Sequence, residues 1–388
     1  MSFTEFIHLR SRSSYSIAEG AIKLDSLLDL TAKNNMPAIA LTDKGNLFGS
    51  LEFSLKAADK GIQTIIGCIV DLDINISHKK DENINSKNKD NLSQILLLAK
   101  DNEGWKNLSN LVTCNYLNQS KEPTYLLNYY DLSKYSNGLI ALSGGINGPI
   151  GKLLISGKTK EAMTYAEELS NIFSERFYIE LMRHGLEKEK YIEPLVLDIA
   201  SNCNLPIVAT NDIYFESPEF FEAHDCLLCI SEGTTVGVTN RKQVTSQHYF
   251  KTSEEMKKLF IDFPEAIENT KIIAQRCSFL LEEKLPKLPK LPTLDKDKSE
   301  EQLLEEVARK GLITRLKSMD RNLSANQSIS NNIQDNEYLK RLNYEISIIN
   351  KMGFAGYFLI VGEFIRWAKN QRIAVGPGRG SGAGSLVA

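Results

Sequence analysis

Ala38-Ile39-Ala40-Leu41-Thr42-Asp43 is a short apolar run that ends on a carboxylate, and it reads as a β-strand delivering a polar group to its C-terminal end. Its neighbours supply the rest of the pattern. Leu24 to Asn34 and Leu51 to Lys60 show helical spacing, and Ile62 to Val70 is a second apolar run. Ile207-Val208-Ala209-Thr210 before Asn211-Asp212 repeats the order of strand, then carboxylate. Strands alternating with helices predict a parallel α/β sheet or barrel, with its site in the loops after the strand ends.

Composition sets the outer limits. A chain of 388 residues, 42% apolar and 24% charged, holds two or more globular domains and is neither fibrous nor disordered. A net charge of −3 gives no general basic field, so any grip on nucleic acid has to come from local patches. Met1 to Phe6 lacks a basic start followed by an apolar stretch, and no run reaches membrane-spanning length, so a soluble cytoplasmic protein is expected. Six cysteines spread over this length are no disulfide framework, and Cys226 and Cys229 read as buried helix residues rather than zinc ligands.

Residues 1–284 carry the α/β pattern. Two polar runs without periodicity, His78 to Asn91 and Ser318 to Asn336, read as solvated loops or insertions. Leu285 to Pro292 repeats Lys-Leu-Pro, which favours an extended connection, and the domain boundary is placed in a linker over 285–299; a partner-docking segment is the other reading. In 300–388, Glu300 to Lys317 and Glu337 to Met352 predict amphipathic helices, the second with Leu339, Leu342, Ile346 and Ile349 on one face and Gly353 closing it. Tyr357 to Asn370 follows, packing apolar residues with Trp367 before turning basic.

Gly376-Pro377-Gly378-Arg379-Gly380-Ser381-Gly382-Ala383-Gly384-Ser385 is a different kind of signal. Alternate glycines bare the backbone N–H groups, tolerate positive φ and suit an anion. It fits neither a P-loop nor a dinucleotide fingerprint, and Pro377, Arg379 and the amphipathic segment before it favour an ordered phosphate-binding loop over a flexible linker.

Met352-Gly353-Phe354-Ala355-Gly356-Tyr357-Phe358-Leu359-Ile360-Val361, Glu363-Phe364 and the glycine loop resemble the palm entry of the family C replicative DNA polymerases of bacteria, the DNA polymerase III alpha family. Thr42 to Gly49, Leu97 to Lys100, Gly138 to Gly144 and Ala209 to Asp212 resemble the polymerase-and-histidinol-phosphatase (PHP) domain of that family, and Phe263 to Cys277 the segment that joins the two. The resemblance implies a distorted (β/α)7 barrel, a helical linker region and the start of a polymerase-beta-like nucleotidyltransferase palm. It implies DNA-directed DNA synthesis with Mg2+ in the whole subunit, on primer-template DNA with a dNTP. It also implies docking of a proofreading exonuclease through the PHP domain, and of a sliding clamp and other subunits through regions outside this chain. Gly378, Arg379, Gly380, Ser381, Gly384 and Ser385 are then the nucleotide-binding residues. Arg366, Lys369 and Arg372 add positive charge nearby or simply complement a helix end. The magnesium-binding aspartates of the family follow this loop, so the chain alone is expected to be inactive; an independent PHP phosphoesterase is the less favoured alternative.

An active PHP domain holds up to three divalent metals. Here the family's opening His-x-His falls on Arg10 and Arg12, which have no lone pair to offer. The Asp-His pair is Asp43 and Lys44; further ligand positions fall on Ile69, Gln94 and Gly145; and the late Asp-x-His keeps Asp212 but has Tyr214. The expectation is a metal-free PHP site in which Arg10 or Arg12 pairs with Asp43 or Asp212. His8 lies outside the ligand pattern, and the role of His184 is open.

Overall fold

Burial on both faces explains the unbroken apolar runs: β1 (Ala38–Leu41), β4 (Leu139–Leu142) and β5 (Phe177–Leu181) are buried along their whole length. With β2 (Gln63–Asp73), β3 (Leu92–Ala99) and β6 (Ile207–Ala209) they form one sheet in the order of the sequence. The computed structural model describes residues 5–74, 92–117, 127–285, 287–289, 298–320, 337–376 and 381–388. It divides into two compact units, Met1–Glu283 and Lys284–Ala388.

One strand departs from the parallel expectation. β1 and β2 are parallel, as are β4, β5 and β6, but β3 runs antiparallel to both its neighbours, pairing Gly67 with Leu98 and Asp73 with Leu92 on one side. The sheet is therefore mixed. Apolar periodicity reports which faces of a strand are buried and carries no information about its direction.

The N-terminal segment curls this sheet on itself. His8 and Ser11 carbonyls accept from Ala40 and Thr42 at the β1 edge, while Arg12 N–H donates to Ile213 O and Ile213 N–H to Arg10 O beyond β6. Successive strand residues then alternate between two cores. Ala40, Ile65, Ile69, Leu96, Ile140 and Val208 line the interior with Ile7 and Leu9, and Ile39, Leu41, Ile66, Leu97 and Ile179 face the outer helices. Those helices are α1 (Leu24–Lys33), α2 (Ser50–Asp59), α3 (Asn102–Leu117), α4 (Tyr129–Lys134), α5 (Pro149–Ile155), α6 (Thr159–Phe173) and α7 (Glu187–Asn202), followed by α8 (Phe221–Glu232), α9 (Ser253–Leu259) and α10 (Pro264–Arg276). Ile273, Ala274 and Cys277 at the end of α10 join the interior core. Cys229 on α8 is buried but Cys226 is exposed, which corrects the reading of both as core residues.

The second unit is helical: α11 (Glu300–Asp320), α12 (Glu337–Lys351) and α13 (Ala355–Asn370). Leu342, Ile346 and Ile349 of α12 are buried, and Gly353 takes a φ of +72° where the chain turns out of that helix. Trp367 and Phe364 do not pack as expected; each is more than half exposed, because α13 buries only Ala355, Gly356 and Leu359. Among the described residues no single helix is long and apolar enough to cross a membrane. His78 to Asn91 and most of the linker lie outside the described residues, as does most of Ser318 to Asn336, of which Ser318 to Asp320 continue α11.

Candidate functional site

The strand ends converge as the sequence pattern requires. Arg10 and Arg12 lie on the N-terminal segment, Asp43 and Lys44 follow β1, Gly144 and Gly145 follow β4, Glu180 lies near the end of β5, and Asp212 and Tyr214 follow β6. Asp212 is the centre. Arg12 binds it with two parallel hydrogen bonds, Nε to Oδ1 and Nη2 to Oδ2, both 3.1 Å, and Arg10 Nε lies 3.1 Å from Oδ1. Burial alone would raise this carboxyl, but the two guanidinium groups outweigh it and hold it far below the usual carboxylate range. Both arginines are almost fully buried; burial disfavours their charge, and Asp212 restores it.

Two acids not anticipated from the sequence complete the balance. Arg10 Nη1 lies 3.3 Å from Glu180 Oε2, and Glu180 also accepts from Thr210 Oγ1 at 2.8 Å and Gly144 N–H at 2.7 Å. Arg12 Nη1 meets Glu19 at 2.6 Å, and Lys44 and Lys242 reach the other Glu19 oxygen at 3.5 and 2.6 Å. Burial pushes the Glu19 carboxyl up, but Arg12, Lys44 and Lys242 bring it down to about 2. Glu180 carried a usable signal, a lone charge inside the apolar run Tyr178-Ile179-Glu180-Leu181. Glu19 offered none, since it sits in a polar loop.

Asp43 is not held as expected. Its oxygens accept from Ser13 N–H at 2.7 Å, Ser16 Oγ at 2.6 Å and Ser13 Oγ at 2.8 Å, and among the described residues it has no ion pair. Burial raises its carboxyl despite these bonds. The remaining ligand positions differ in fate. Tyr214 lies under Arg12, whose guanidinium carbon is 4.5 Å from the ring centre, and burial raises its phenol. Ile69 is buried in the barrel core, Gln94 donates to Asp71 Oδ1 at 3.2 Å, and Gly145 packs its backbone near Met182.

The histidines form a separate layer. His184 Nε2 lies 3.2 Å from the Asp212 N–H nitrogen and 3.1 Å from Asn211 Oδ1, Nδ1 lies 2.8 Å from Glu189 Oε1, and the ring stacks on His248 at 4.0 Å. Burial, then the neighbouring His184, depresses the His248 ring to about 2. His8, fully buried, donates Nε2–H to Lys251 O at 2.8 Å, and burial lowers it to about 4, so it is neutral at physiological pH. Lys251 itself, desolvated, falls to about 8.

A divalent cluster needs several lone-pair donors converging on each ion. Among the described residues no group of three or more His, Cys, Asp or Glu could hold one. The mouth presents guanidinium donors where lone pairs would be required, so these residues do not fit the metals of an active PHP site.

At the other proposed site, residues 377–380 lie outside the described residues, so Gly378, Arg379 and Gly380 have no described placement; Ser381 to Gly384 form a single 3-10 turn. Ser385 is described, and its hydroxyl donates to Glu345 Oε2 at 2.8 Å while accepting from Ala388 N–H at 3.1 Å. Its one proton is thus engaged within the protein. Leu386 and Val387 N–H groups reach the same Glu345 oxygen at 2.7 and 3.1 Å, and Arg341 Nε donates to Oε1 at 2.5 Å. Burial would raise the Glu345 carboxyl, but Arg341 and the Val387, Ser385 and Leu386 donors hold it below its usual value.

Fold and mouth together define a PHP-type barrel whose mouth carries ion pairs among Arg10, Arg12, Glu19, Glu180 and Asp212. The PHP domain family matches residues 8–184, and the bacterial DNA polymerase III alpha NTPase domain matches residues 302–388. The chain is similar to DNA polymerase III alpha subunits along their N-terminal part. It is 46% identical over 383 residues to the DNA polymerase III subunit alpha of Caulobacter vibrioides, covering 99% of this chain and 32% of that protein. The subunit of the same name from Rickettsia felis is 44% identical, with 99% and 30% covered, and that from Vibrio cholerae 38% identical, with 100% and 32% covered. The chain thus spans about a third of the length of these relatives. An amidohydrolase structure from Chromobacterium violaceum aligns over 54% of this chain and 87% of its own at 15% identity, with a TM-score of 0.32, too loose a likeness to carry an argument.

Proposed function

We propose that this chain is the N-terminal region of a DNA-directed DNA polymerase that adds deoxynucleotides to a primer 3′-OH on a DNA template. The observation that carries this reading is the 46% identity to an alpha subunit along 99% of the chain, through both units. The glycine loop supplies donors for the triphosphate: Arg379 by forked hydrogen bonds, Gly378, Gly380 and Gly384 through backbone N–H, and Ser381 through its hydroxyl. Ser385 adds a further hydroxyl, whose proton rests on Glu345 in this structure. Mg2+ would be held by carboxylates encoded further along the polymerase, and primer-template DNA would lie there too. The coding sequence beyond the Ala388 codon tests this: an in-frame Asp-x-Asp strand is expected. An in-frame stop would leave the first unit as a docking module, decided by a pull-down with the proofreading exonuclease subunit, where no binding at micromolar concentration would remove that reading as well.

The first unit, in this proposal, is a scaffold without phosphoesterase chemistry, because Arg10 and Arg12 take the charge role of the metals against Asp212, Glu180 and Glu19. Metal analysis of the purified protein is expected to find no stoichiometric zinc or manganese, and phosphatase assays with added manganese no turnover. Stoichiometric metal that is lost on Asp43→Ala would refute this.

A further inference from the structure

In the second unit one carboxylate oxygen gathers a donor set of an unusual kind. Glu345 Oε2 takes two consecutive backbone N–H groups, Leu386 and Val387, together with the Ser385 hydroxyl. Successive N–H groups and a hydroxyl aimed at one oxyanion make the concavity that binds phosphate oxygens elsewhere in proteins. The concavity is held from behind: Leu386 and Val387 pack against Leu312, Leu342 and Ile346 of α11 and α12. In front lies an open cavity of about 470 Å³, lined by Tyr338, Arg341, Glu345, Gly384 and Ser385 among others. Arg341, its side chain 58% exposed, is tethered there to the other Glu345 oxygen.

We propose that the Glu345 carboxylate is a built-in occupant of a phosphate site, holding the Ser385, Leu386 and Val387 donors in place until a phosphate group of the incoming nucleotide displaces it. The proposal rests on the reading of the glycine loop as a triphosphate loop and extends it to these three donors. Two anions cannot share one set of N–H groups at this distance, so phosphate entry requires Glu345 to rotate away. A glutamate has three side-chain torsions with which to do so, and α12 need not move. Arg341, released from its partner, is left at the cavity as the cation that meets the phosphate. Weakly charged ions are kept out, because they must displace a carboxylate that already holds charge-assisted bonds.

The test titrates this chain with inorganic pyrophosphate by calorimetry, with a deoxynucleoside triphosphate in parallel to separate phosphate recognition from base recognition. Glu345→Ala is expected to tighten pyrophosphate binding about tenfold, the scale of losing one charge-assisted competitor. Glu345→Gln, nearly isosteric and uncharged, is expected to tighten it by less, and guards against an Ala variant that fails to fold. If Glu345 only positions the loop, both variants bind pyrophosphate equally well or more weakly than the wild type, and the proposal falls. Arg379→Ala separates the two ideas. Wild-type binding that weakens with Arg379→Ala, without tightening at Glu345, sinks this proposal and leaves the loop reading standing; no binding by any form sinks both.

Discussion

Asp212→Ala is expected to destabilise the first unit by about 3–5 kcal/mol, the range found when one partner of a buried ion cluster is removed. Both guanidinium groups lose their shared acidic partner in one step, and among the described residues Arg10, whose Nη2 has no hydrogen-bond partner there, keeps only Glu180. Urea unfolding at neutral pH followed by a signal from the first unit measures this, and a loss below about 1 kcal/mol would place the pair among surface salt bridges instead. The effect also depends on pH with a defined sign. The native Asp212 carboxyl lies far below its unfolded value of about 3.9. Its contribution is therefore complete above that unfolded value. It declines as pH falls below about 4, where the unfolded chain takes up a proton that the native chain does not. The gap between wild type and variant should narrow between pH 6 and pH 3, values chosen to lie about two units above and one below that reference.

Gly144→Ala is expected to cost on the order of 3 kcal/mol, by adding left-handed strain to overpacking. Gly144 has a φ of +87°, and a Cβ there would stand 2.1 Å from the Gln94 carbonyl of β3. Relief by moving the backbone would break the Gly144 N–H bond to Glu180 and loosen the acid that holds Arg10. Gly157→Ala is the matched control: φ is +73° but nothing lies within 4 Å of the added carbon, so only the conformational cost of about 1–2 kcal/mol remains. Equal losses at the two positions, measured by thermal or urea unfolding, would show that the contact with β3 does not matter.

How much of this was legible in the sequence follows the physics of each signal. β1, β2 and β6 were readable because burial on both faces leaves an apolar run that no surface segment would carry. The reversal of β3 was not, since pairing direction is set by connections and partners rather than by residue type. At the mouth, the inability of Arg10 and Arg12 to ligate a metal was legible, because a guanidinium has no lone pair to offer in any geometry. Partner choice was not. Asp43 is satisfied by Ser13 and Ser16, hydroxyls supplied by the turn after Arg12, and both arginines converge on Asp212. At the glycine loop Ser385 reads as a phosphate donor from its neighbours, and only the fold brings Glu345, forty residues earlier, onto its hydroxyl. Glu345 lies on the buried face of its helix beside Leu342, Ile346 and Ile349, but that position does not name its partner.

Arg10 and Arg12 change what the first unit depends on. An ion held by side chains dissociates, is exchanged for commoner metals, and ties folding to the composition of the medium. A guanidinium is covalently part of the chain. If the proposed metal-free reading holds, nothing has to be captured before the strand ends can meet, and chelators would have nothing to remove from this mouth. On that proposal, folding of this unit would be a reaction of the polypeptide alone.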